Sequence, residues 1–241
     1  MKNFQITFKF NKKIIPKDYH RFFLKIIKKS LKNYDNKFYK MLYKRGAKMK
    51  PYTFSVYLDI KGFEENNIIL KNKKVKMFFS TDKGIFASKF ALAFLEMKNQ
   101  KFKFINNISA KLLSVEFKEL IKTNKNSAII QIASPLVVQS HSRNNDYFYL
   151  YDEKGFIEQL IKIINSQITK LGYKYKKDLD SFDLVPYKPK KTVVKFYEKS
   201  IAANRGKFII QANSELINWL QLIGLGSKRS CGFGKFIILK Y

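Results

Sequence analysis

Cysteine is almost missing from this 241-residue chain. Cys231 is the only one, so no internal disulfide can form and a reducing compartment is expected. It reads as a small buried apolar residue beside a glycine-rich stretch. Histidine is nearly as scarce, with His20 and His141 alone, which leaves no ligand set for a structural zinc site. Acidic residues are few: 18 Asp and Glu against 48 Lys and Arg. Two-metal nucleases need converging carboxylates, and the one dense group, Asp178, Asp180 and Asp183, reads as turns and caps. There is no Walker phosphate loop and no nucleophile elbow. No metal or cofactor is expected. No stretch approaches the ~18 consecutive apolar residues of a membrane span. The N-terminus alternates apolar and polar residues and is broken by Lys9, Lys12 and Lys13, unlike a signal peptide. A cytoplasmic protein without membrane contact is the expectation.

What is present is positive charge, a formal +30, in a chain that is 46% hydrophobic and 16% aromatic. That composition supports globular cores. Self-repulsion on this scale is unfavourable and points to a polyanionic partner, nucleic acid first. The charge is uneven: within residues 1–50, 14 Lys and 2 Arg face only Asp18 and Asp35.

Periodicity divides the chain into two similar runs. Phe4, Ile6, Phe8 and Phe10 alternate as a strand. Pro16 and Asp18 open a helix reaching about Leu42, with a break expected near 33–36. Tyr52–Leu58 and Lys76–Ser80 read as strands, Gly84–Met97 as a helix, and Phe102–Phe117 as one or two further strands. That order, β-α-β-β-α-β, is the ferredoxin-like (RRM-like) unit. A weaker second copy has strands at Ala128–Val138, Tyr147–Tyr151, Val185–Phe196 and Lys207–Gln211. Its helices are Phe156–Leu171 and Ser214–Ile223, the latter capped by Asn213 or Ser214, and its last strand is Phe236–Leu239. The polar run Lys122–Ser127 marks the boundary. The predicted architecture is α+β, two tandem ferredoxin-like domains at 1–124 and 125–241.

Between the last helix and the last strand lies a loop rich in glycine: Gly224, Gly226, Gly232 and Gly234 bracket Ser227, Lys228, Arg229 and Ser230. Glycines permit positive φ and close backbone approach. Successive N–H groups in such a loop form an anion-binding concavity, to which Lys and Arg add charge. A helix C-cap leading into a strand accounts for part of this pattern. These eight residues are the expected contacts to a nucleic-acid phosphate.

At this point the chain resembles the repeat-processing endoribonucleases of CRISPR systems, within the RAMP superfamily of RNA-binding proteins. The features that carry the likeness are Ile15-Pro-Lys-Asp-Tyr19, Lys50-Pro-Tyr-Thr-Phe-Ser-Val-Tyr57, Ser134-Pro-Leu-Val-Val138 and Gly224-Leu-Gly-Ser-Lys-Arg-Ser-Cys-Gly-Phe-Gly234, in that order over nearly the whole chain. The resemblance implies two ferredoxin-like folds with a basic cleft for CRISPR repeat RNA, cut on the 3′ side of a stem. In that chemistry the 2′-OH attacks the adjacent phosphate, leaving a 2′,3′-cyclic phosphate and a 5′-OH. The family's usual histidine precedes the second strand. Here the corresponding segment is Met41-Leu-Tyr-Lys-Arg-Gly46, so Tyr43 stands in its place. The family lysine maps to Lys48, with Lys50 as the alternative, and an upstream tyrosine of some members aligns with Lys28. Tyr43 transfers a proton, stacks on a base or packs; Lys44, Arg45 and Lys48 would be the cations that depress its pKa. His20, on the edge of the apolar stripe of the first helix, either packs there or replaces the missing histidine. His141, in Ser140-His-Ser-Arg-Asn144, is solvated or touches RNA. Three functions stand: an endoribonuclease that holds its product; a RAMP protein that binds repeat RNA without cutting, alone or with a CRISPR interference complex; or a general RNA-binding protein unrelated to CRISPR. Monomer and homodimer are both compatible with the sequence.

Overall fold

The structure is a computed structural model that describes residues 2–44, 46, 48–104, 107–141, 145–173 and 179–240. The chain forms two units. The first comprises Met1–Lys48, Ser55–Glu119 and Lys195–Glu198; the second comprises Met49–Phe54, Leu120–Val194 and Lys199–Tyr241. Each therefore takes a short segment from outside its own half of the chain.

In the first unit, β1 (Asn3–Phe10) leads through β2 (Ile14–Pro16) to α1 (Tyr19–Tyr34) and α2 (Asn36–Tyr43). Next come β3 (Tyr52–Tyr57), whose first three residues belong to the second unit, then β4 (Ile60–Phe63), β5 (Asn67–Leu70), β6 (Lys74–Thr81), α3 (Gly84–Glu96), β7 (Lys101–Lys103) and β8 (Ser109–Phe117). The main sheet runs β3-β6-β1-β8-β7. The alternation in β1 works as expected: Phe4, Ile6, Phe8 and Phe10 are all buried. They face the helices, with Phe8 edge-on to Phe23 of α1 at 5.4 Å, and Phe79 of β6 against Phe90 of α3 at 4.5 Å. The expected helical break falls at Asp35, whose carboxylate accepts from Phe38 N–H at 2.8 Å to start α2 and is also bonded by Lys89. A second sheet, β2-β5-β4, was not anticipated.

The second unit contains β9 (Ser127–Leu136), β10 (Val138–His141), β11 (Asp146–Tyr149), α4 (Phe156–Leu171), β12 (Asp183–Phe196), β13 (Lys199–Gln211), α5 (Ser214–Ile223) and β14 (Phe236–Lys240). Its sheet, β12-β13-β9-β14, has the ferredoxin-like order, with α4 and α5 contributing Ile164, Ile168, Ile217 and Leu220 to its core. Of the two caps considered for α5, Asn213 is the one used: its side chain accepts from Glu215 N–H at 2.8 Å. β10 and β11 form a separate hairpin. Among the described residues, no helix is long and apolar enough to cross a membrane.

Candidate nucleic-acid interface

Of the residues expected to carry chemistry in the first unit, the structure brings Lys28 and Tyr43 together. Tyr43 ends α2, half-buried, and the Lys28 ammonium lies 5.3 Å from its ring centroid. The Tyr39 ring, one helical turn back, lies 5.3 Å away at 31°. The turn at Asp35 folds α2 back so that its end reaches the middle of α1. Lys48 is exposed, its N–H bonded to Gly46 O at 2.9 Å. Arg45 lies outside the described residues. His20 is elsewhere: eight residues before Lys28 on α1, it is about 12 Å away along the axis. It is 1% exposed, stacked on Tyr19 at 4.3 Å and edge-on to Phe196 at 6.3 Å.

The open face of the first sheet supplies a feature that linear reading missed. Lys9 pairs with Lys74 on one side and Lys111 on the other, and Lys111 pairs with Lys101. Lys74, Lys9, Lys111 and Lys101 therefore form one row across four strands, all exposed on the face opposite the phenylalanine core. Like charges placed directly opposite are unfavourable. With strands spaced about 4.8 Å apart, the row is about 14 Å long. Tyr57, 60% exposed, shares a cavity on this face with Lys9, Lys74 and Lys76. An anionic strand relieves the repulsion, and the tyrosine ring offers a base a stacking surface.

In the second unit the glycine-rich loop folds on itself. Leu225 N–H donates to Gly234 O at 2.8 Å, Gly234 N–H to Pro135 O at 2.9 Å, and Ser227 N–H to Val137 O at 2.7 Å. Thr53 Oγ donates to Phe233 O at 3.1 Å, and Gln167 Nε2 to Gly226 O at 2.8 Å. Gly226 and Gly234 have φ of +71° and +67°, and a Cβ would meet Val137 O at 2.4 Å and Leu225 O at 1.8 Å. Close backbone approach within the protein thus explains both glycines. Gly224 and Gly232 are likewise buried, while Ser227, Lys228 and Ser230 are partly exposed.

Arg229, expected beside Lys228 as a phosphate ligand, is 6% exposed, and its Nη1 donates to Ile223 O at 2.7 Å. A cation there satisfies a carbonyl at the negative end of the α5 dipole. Lys228 is the cation that the loop leaves accessible. Arg229→Ala should therefore destabilise the protein by about 2 kcal/mol, lowering Tm by roughly 4–8 °C. Lys228→Ala should leave Tm unchanged and weaken RNA binding. Thermal melts beside RNA titrations of both variants check this separation; equal loss of RNA affinity with unchanged Tm in both would contradict it.

Lys235, just after the loop, is 1% exposed, and burial pushes its ammonium down to about 7. In the unfolded chain a lysine titrates near pH ~10.4. Between these values the unfolded state holds the extra proton, so stability rises with pH across that window. The Tm of Lys235→Met relative to wild type should therefore rise as the pH falls from about 10 to about 7. A Tm difference independent of pH would contradict the buried-charge account.

His141 Nδ1 lies 2.6 Å from Asp146 Oδ1, an exposed hydrogen-bonded contact across the β10–β11 hairpin. Burial pushes the Asp146 carboxyl up, but hydrogen bonds from His141 and Gln139 and the charges of His141 and Lys228 outweigh it and hold it low. Ser142–Asn144 lie outside the described residues. Of the acidic group, Asp183 accepts from Leu184 N–H at 2.7 Å and Asp178 lies outside the described residues.

A sequence profile of the family described as CRISPR associated protein Cas6, C-terminal, matches residues 115–238. Three solved structures align with essentially all of the chain. One is described as a RAMP protein binding different RNA substrates, with 18% identity, TM-score 0.86 and 100% of both chains covered. Another is the product of a Cas6-related gene from Pyrococcus furiosus, with 18% identity, TM-score 0.85, and 99% of this chain and 98% of that one covered. The third is a CRISPR associated protein Cas6, with 18% identity, TM-score 0.74 and 99% of each chain covered. At such identities the likeness establishes the fold, two ferredoxin-like units in tandem. No curated protein matches the sequence.

Proposed function

The chain belongs to the Cas6 family of CRISPR-associated proteins, and from that premise we propose that it binds the repeat RNA of a precursor transcript and cuts it without a metal ion. The observation that carries the RNA part is the lysine row of the first sheet, an arrangement of like charges suited to a polyanion. In this reading domains 1–124 and 125–241 both contact the RNA, the second through Lys228, Ser227 and Ser230.

The cut is an attack of the ribose 2′-oxygen on the adjacent phosphorus: the 2′-OH gives its proton to solvent, the bond from phosphorus to the 5′-oxygen breaks, and that oxygen takes a proton from solvent, so the products are a 2′,3′-cyclic phosphate and a 5′-OH. Lys28 and Lys48 stabilise the charge that builds on the phosphorane. Tyr43, held beneath Lys28, orients the nucleotide at the cut by its ring. His20, enclosed by Tyr19 and Phe196, supports the start of α1 instead of carrying a proton. Cutting should accordingly be slower than in histidine-bearing relatives. Tyr43→Phe should retain the rate within about threefold while Tyr43→Ala loses about 100-fold. Equal loss in both variants would assign the work to the hydroxyl.

One observation favours the second reading, repeat-RNA binding without cleavage: His20, one of only two histidines in the chain, is buried. A complex that holds intact RNA indefinitely is its signature.

A further inference from the structure

A cavity of about 280 Å³ lies between α1 and β7 in the first unit. Four lysines line it: Lys25 and Lys29 from α1, and Lys101 and Lys103 from β7. All four are exposed, and no carboxylate is among the lining residues. Phe22, Ile26 and Phe102 make the floor and are themselves buried. Among the described residues none of the four lysines takes part in an ion pair; the Lys29 ammonium lies 5.5 Å from the Phe102 ring.

Both pairs have the spacing that puts side chains on one side of their element. Lys25 and Lys29 are i, i+4 on a helix, where like charges repel. Lys101 and Lys103 are i, i+2 on a strand that forms the sheet edge. Two repelling pairs border one hollow at the β7 edge of the sheet, and its floor is apolar and carries no counter-charge. Lys101 is also the last member of the lysine row, so the hollow continues that row around the β7 edge of the sheet.

We propose that this hollow is a phosphate subsite that seats one nucleotide of single-stranded RNA continuing past the lysine row. The proposal rests on the RNA-binding reading and extends it to a surface made by α1 and β7. The ligand chemistry is a nucleotide phosphate on lysine ammonium groups, and it has two sources, a strand of RNA or a free nucleotide.

The test compares the full-length protein with the triple variant Lys25→Gln, Lys29→Gln, Lys103→Gln, which leaves the row itself intact. The probes are a sixteen-residue oligouridylate and uridine monophosphate. Binding is titrated over a range of salt, and lysine acetylation is mapped by mass spectrometry with and without each probe. The expected result has three parts: the oligouridylate protects Lys25, Lys29 and Lys103 from acetylation; the triple variant binds it about fivefold more weakly at 0.1 M salt; and the salt slope falls by about 0.7, one single-strand phosphate. Protection by uridine monophosphate without protection by the oligonucleotide would overturn the RNA subsite and identify a free-nucleotide pocket. An unchanged slope together with unprotected lysines would overturn it outright, while the row lysines, still protected, would leave RNA binding standing. If the oligouridylate and the repeat RNA both fail to bind the wild-type protein, the RNA-binding reading falls and takes the subsite with it.

Discussion

Gly234→Ala is expected to cost at least about 3 kcal/mol and to leave the second unit without its cooperative melt at physiological temperature. Two terms act together. The residue sits at φ +67°, where an alanine pays for the left-handed conformation. The added Cβ would also stand 1.8 Å from Leu225 O, and backbone cannot swing aside as a long side chain can. Moving Leu225 breaks its hydrogen bond to Gly234 O, and with it the turn that carries Lys228. Gly172→Ala is the control, since that glycine has φ +74° but nothing within 4 Å of its Cβ position; it should cost about 1–2 kcal/mol. Similar melting temperatures for the two variants would show that close approach does not hold the loop.

The second large effect is on binding. Lys9→Ala, Lys74→Ala and Lys111→Ala combined should weaken RNA binding by about 100-fold at 0.1 M salt, with the salt slope reduced by about two units. The reasoning is counterion release: each lost single-strand phosphate contact removes about 0.7 from the slope. Because the three ammonium groups repel one another across β6, β1 and β8, the triple variant should melt no lower than wild type. A variant that keeps its affinity would show that the open face of the first sheet is not an RNA surface.

How much of this was legible in the sequence varied with the range of the signal. The core face of β1 follows from Phe4, Ile6, Phe8 and Phe10 alone, because a strand repeats every two residues. The break between α1 and α2 was legible in the polar run around Asp35, a good N-cap residue. β2, β4 and β5 were not, since three or four residues show no period. The lysine row is a product of register: Lys9, Lys74, Lys101 and Lys111 meet only after four strands pair. Arg229 was misread because a charged residue in a glycine-rich loop suggests a ligand, whereas the carbonyl it bonds becomes visible only once α5 ends beside it. Tyr43 and Lys28 were both singled out separately, and their contact depends on how sharply the chain turns at Asp35.

The most direct test of the account is one cleavage assay. The purified protein is incubated with end-labelled repeat RNA from its own array in EDTA, beside the same RNA carrying a single 2′-deoxy nucleotide at the expected cut. The account predicts one cut in the unmodified RNA, a 2′,3′-cyclic phosphate at its new end, and no cut in the deoxy control. A stable complex in which both RNAs remain intact would contradict it and leave a protein that binds repeat RNA without cutting it.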